Sequence, residues 1–72
     1  MIKELDSGVL TVDLPKQGLK KGDVGTVVLL HGNVGYEVEF MTLGGETLTV
    51  VSLSKGQIRQ VGNREIAQAR TV

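Results

Sequence analysis

The residues able to do chemistry are few and widely spaced. His31 is the only histidine among 72 residues. An imidazole is the side chain best suited to trade protons near neutral pH. Serine occurs only as Ser7, Ser52 and Ser54, none beside His31 in the chain, and there is no cysteine to act as a nucleophile. A lone histidine cannot hold a structural zinc ion, which needs several ligands. His31 therefore reads as a solvated loop residue. Glu37 and Glu39 flank Val38, so on a strand their carboxylates share one face, roughly 7 Å apart. Such pairs cleave glycosides when held across a cleft. Two on one strand of a small domain read instead as outward charges that could meet a basic partner. Gly22 to Gly25 and Gly32 to Gly35 each have Gly-x-x-Gly spacing. A phosphate-cradling loop needs a helix start behind it and usually a lysine, and both spacings fall between strands. These readings supply no catalytic, cofactor-binding or metal-ligating residue, and no small-molecule substrate.

Two surfaces remain as candidates for binding. Lys16, Lys20 and Lys21 form the densest basic group, and Arg59, expected to project near them, joins them as a nucleic-acid contact. Lysine and arginine meet phosphates through counterion release. The formal net charge is zero, which counts against a dedicated nucleic-acid binder, and aromatic stacking platforms are missing. The second surface is apolar. Val9, Val28 and Val51 fall opposite the expected core side of their strands, and contiguous exposed apolar residues mark interfaces. A protein partner or a second copy would cover them.

The elements that must position these residues are strands. Tyr36, Val38 and Phe40 alternate with Glu37 and Glu39, the period-two pattern of a half-buried strand. Thr26 to Leu30 is a β-branched and aliphatic run bounded by turn residues, which predicts a strand buried on much of both faces. His31 to Gly35, with two glycines and an asparagine, suits a hairpin loop of three to five residues. Val9 to Leu14 alternates and predicts the first strand, ended by Pro15. Gly44-Gly45 predicts a tight primed turn into a fourth strand, Thr47 to Leu53. That strand has apolar residues of both parities. Leu48 and Val50 are assigned inward and Val51 outward, with Leu53 brought in by a bend or a second buried face. Ser54 to Gln57 reads as one short turn and Ile58 to Val61 as a fifth strand. The fold class expected is all-β, a five-stranded antiparallel barrel, with residues 1–7 a flexible lead-in, 8–61 the barrel and 62–72 a tail, loose or packed on a neighbouring subunit.

Length and composition narrow the class. A chain of 72 residues is one domain, and it buries only roughly 60% of its unfolded surface. One Tyr, one Phe and no Trp leave valine and leucine to build the core. Without cysteine there are no disulfide staples, and small unstapled domains often gain burial by association, so a homo-oligomer is expected. No apolar run approaches the roughly 20 residues of a membrane span. The start of the chain lacks a signal peptide's basic flank and apolar core. Cytoplasmic residence without membrane contact follows as the expectation. Charge is uneven: Asp23 to Glu46 holds four acids and no Lys or Arg, whereas Lys55 onward holds four bases and one acid.

The quoted segments also resemble a known family. Gly22-Asp23-Val24-Gly25-Thr26-Val27-Val28 followed by Tyr36-Glu37-Val38-Glu39-Phe40, with Thr47-Leu48 and Ile58-Arg59 beyond, looks like a family of short, uncharacterised bacterial proteins with an SH3-like barrel. The likeness runs from residue 5 to about residue 61. It implies a fold and no transferable activity. Neighbouring short reading frames imply a small two-protein system of toxin–antitoxin type. Lys21-Gly22-Asp23-Val24-Gly25 is similar, more loosely, to KOW-type SH3-like segments, which work with basic neighbours, whereas the stretch from Asp23 to Glu46 is acidic. The function expected is a non-catalytic protein-interaction module; the alternative is a nucleic-acid-binding module using the basic loop.

Overall fold

β3, Gly35–Met41, is the strand the alternation marks most clearly. In the computed structural model, which describes residues 2–72, Tyr36, Val38 and Phe40 are buried and Glu37 and Glu39 face out. Val38 lies opposite Val27 of β2, Val24–His31, and neither side chain is reached by water. On its other side β3 pairs with β4, Thr47–Ser54, placing Val51 opposite Val38. β1, Ser7–Leu10, joins the far side of β2. β5, Ile58–Gln60, returns to pair with β1. All pairs are antiparallel, and the order is β4-β3-β2-β1-β5. Among the described residues the only helical turns are two three-residue 3₁₀ turns, Pro15–Gln17 and Lys55–Gln57.

The sheet curls without closing. Leu10 of β1, Val27 of β2, Phe40 of β3, Leu53 of β4 and Ile58 of β5 belong to one core cluster. In a flat sheet β4 and β5 would lie roughly 19 Å apart at a spacing of about 4.8 Å, so the sheet must bend to bring Leu53 and Ile58 together. The expected closed barrel is corrected to an open five-stranded sheet. β5 is three residues long and pairs only with β1. The 3₁₀ turn that links β4 to β5 consumes the residues at the place where the edges meet.

Several local expectations change with it. The first strand ends at Leu10 and does not run to Leu14, because Thr11 turns to donate its N–H to Gln57 O and its hydroxyl to Gly56 O. β2 is buried on one side only. Val28, Leu29 and Leu30 are exposed, and the ladder to β3 shifts register between Val27 and Leu29. Gly45 takes the left-handed conformation at φ 95°, while Gly44 does not, so Thr42–Glu46 is a wider loop than a primed two-residue turn. The parity of β4 is reversed. Leu53 is buried and Val51 packs against the core, whereas Leu48 and Val50 are 41% and 50% exposed. A register shift between Phe40 and Met41 leaves Leu48 as the extra residue on β4, and this sets the phase of the strand.

The ends of the chain are tied to the sheet. Ile2 is buried in the core cluster, and Leu5 and Asp6 exchange backbone hydrogen bonds with Val27; Met1, the first residue of the expected lead-in, lies outside the described residues. Gly25 is needed for space. A Cβ there would sit 2.7 Å from a Val38 methyl and 2.9 Å from the Phe40 ring.

Two substitutions check this arrangement. Phe40→Ala is expected to cost about 3–5 kcal/mol in urea unfolding, as a buried aromatic truncation does. Val51→Ala is expected to cost more than Val50→Ala; the reverse order would return β4 to its opposite parity.

Candidate functional site

The outer face of the hairpin gathers the polar residues that the sequence leaves apart. The β2–β3 turn is three residues, Gly32 to Val34, and closes on the pair His31 and Gly35. Glu37 follows two residues later on the same face. His31 Nε2 lies 2.7 Å from Glu37 Oε2. Across the other ladder Glu37 stands directly opposite Ser52, whose hydroxyl donates to the same carboxylate oxygen. Ser52's hydroxyl, followed by His31, holds the Glu37 carboxyl below its ordinary value. Thr47 Oγ1 donates to Glu39 Oε2 at 2.5 Å.

The order of this cluster matters chemically. In an acyl-transfer triad the imidazole touches the hydroxyl and the carboxylate orients the imidazole. Here the carboxylate stands between the other two, and its hydrogen bonds are spent on both. The two contacts hold an outward carboxylate in place. The link between Glu37 and Ser52 was open to sequence reasoning only if the β3–β4 register had been known.

A second feature is a groove of about 380 Å³ between the sheet and the tail, lined in part by Val24, Phe40, Met41, Leu48, Ala69 and Val72. The tail 62–72 has no strand or helix and its side chains are exposed, yet two charged clamps hold it. Arg59 grips Glu65 with two hydrogen bonds of 2.8 and 2.7 Å. Arg70 grips Asp23 likewise at 2.8 and 2.6 Å and donates to Gly18 O. Arg59's hydrogen bonds, helped by the Gly62 N–H, pull the Glu65 carboxyl from 4.5 down to about 2. Arg70 lowers that of Asp23.

The anticipated binding residues do not form one surface. Val9 is only 6% exposed and lines a cleft together with Val61 and with Ile66 of the tail. Val28 is exposed at the register shift of β2. Val51, expected outward, faces the core. Lys16, Lys20 and Lys21 are exposed in the β1–β2 loop, whereas Arg59 is held by Glu65. An interaction module can also use an unpaired strand edge, and the sequence does not say which strand would carry it; in the structure it is β4. Among the described residues, no backbone hydrogen bond outside the β3–β4 ladder reaches Thr47 to Leu53.

The family model described as Domain of unknown function (DUF4926) matches residues 4–60, and the chain belongs to that family. No curated protein and no solved structure matches it. Among the described residues no helix is long and apolar enough to cross a membrane, and no group of three or more acidic, His or Cys side chains is placed to hold a metal ion.

The clamps give a pH dependence with a definite sign. Both carboxyls are lowered in the folded state, so their contribution is complete above their ordinary values and is lost as pH falls through the folded ones. Between pH 4.5 and about 2 the tail is expected to detach while the sheet persists. Amide exchange at Gly62, whose N–H donates to Glu65, reads this directly. Arg70→Ala should free the far end of the tail at neutral pH, and unchanged exchange there would remove the clamp from the account.

Proposed function

We propose that the chain is a non-catalytic protein-interaction module with an SH3-like arrangement, and that it meets its partner along β4. The single observation that carries this reading is the β4 edge, eight residues without a charge, a proline or a glycine and open to pairing on one side. An edge of that kind is a ready template for another strand. The curled meander whose last strand returns to its first supports the SH3-like assignment. The position of Glu37 between Ser52 and His31 supports a role without catalysis. The engagement of Arg59 by Glu65 and the zero net charge weigh against the nucleic-acid alternative. Lack of cysteine suits a reducing compartment, and the bacterial cytoplasm is the setting we propose.

Photo-crosslinking inside producing cells tests the reading. A photoreactive residue at Leu48, exposed at the start of β4, is expected to give protein adducts, and one at Lys16 few or none. Nucleic-acid adducts concentrated at Lys16, with none at Leu48, would replace this reading by the alternative.

A further inference from the structure

The two edges of the sheet are built differently. β5 is short, its central Arg59 is locked by Glu65, and the chain folds back after it. Those are the devices by which natural sheets blunt an edge. β4 has none of them. Thr-Leu-Thr-Val-Val-Ser-Leu-Ser carries no charge from Thr47 to Ser54. In an antiparallel ladder alternate residues turn both N–H and C=O away from the neighbouring strand, so about half of the groups on β4 point outward. Among the described residues Ser54 alone finds a local partner for these outward groups, its N–H donating to Gln57 Oε1 at 2.9 Å.

The core also stops short at this edge. Val27, Val38 and Val51 stand opposite one another on β2, β3 and β4. The first two are fully buried, and Val51 is only partly so. A row of valines on the inner face therefore ends one strand too early.

We infer that the occupant of the β4 edge is β4 of a second copy, paired antiparallel about a two-fold axis with Val51 opposite Val51. This rests on the reading of β4 as the interaction surface. The two-fold keeps inner residues against inner residues and outer against outer. Thr49 then meets Leu53 of the second copy, Val50 meets Ser52, and Leu48 meets Ser54. The valine row continues without a break from one core into the other. No register of two uncharged strands sets like charges opposite each other, which is the common penalty on self-pairing. The contact is isologous and closes at two chains. A contact made along one strand edge is small beside a standard interface of roughly 1,600 Å², and the dimer is expected to dissociate on dilution.

Light scattering over a concentration series is expected to rise from the mass of one chain to twice that mass and no further. Val50→Lys places a charge on the outer face of the edge and should weaken the dimer by about tenfold, with the circular dichroism of the monomer unchanged. The chain has no cysteine, so Val51→Cys provides a clean test of register. Two β4 strands centred on that residue bring its Cα atoms within disulfide range, and oxidation should yield a covalent dimer. Val50→Cys, one step off the axis and facing Ser52, should not. A wild type that stays monomeric at millimolar concentration overturns the inference. So does a dimer indifferent to Val50→Lys, or one cross-linked at position 50 rather than 51. If the wild type is monomeric while Leu48 still captures a different protein in cells, the second copy is excluded and the interaction reading survives. If neither association occurs, both fall.

Discussion

The contact between Val27 and Val38 is the constraint on which the rest of this fold depends. Both side chains are sealed from water, and they join the two strands that carry the most ladder. With one phenylalanine and one tyrosine available, the core is a thin layer, and it works only if every strand turns its apolar parity to the same side. The close approach of Gly25 to Val38 and Phe40 belongs to the same constraint. β2 can lie this close to Val38 and Phe40 because no side chain stands at Gly25.

That thin core has consequences at both edges. Bending the sheet brings Leu53 and Ile58 into the cluster but uses up the residues that might have joined β4 to β5. The β5 edge is protected by a salt bridge and a returning tail. The tail contributes little burial of its own and is held by Arg59–Glu65 and Arg70–Asp23. Exposed pairs of this kind are individually weak, so the tail is a strap rather than a part of the core. β4 is left with an unfinished valine row and an open ladder.

Legibility in the sequence followed the distribution of charge. β3 could be read with the correct parity because Glu37 and Glu39 label its outer face. β4 could not, since Thr, Ser, Val and Leu are tolerated on either side, and its phase is set by the register shift at Met41 and by the burial of Leu53. The alternation of Val9 to Leu14 was a true pattern with the wrong cause. Val12 and Leu14 pack on the core from a loop, not from a strand. The cluster of His31, Glu37 and Ser52 depends on two hairpin registers at once. The grip of Arg70 on Asp23 spans most of the chain; no local spacing announces it.

Amide hydrogen exchange along β4, measured at two protein concentrations, tests the central claim most directly. In dilute solution the amides from Thr47 to Leu53 should alternate, protected where they donate to β3 and fast where they face the open edge. At high concentration the fast set should become protected as the second copy pairs. Uniform protection of all these amides at both concentrations would mean that the edge is closed within one chain, and would contradict the account.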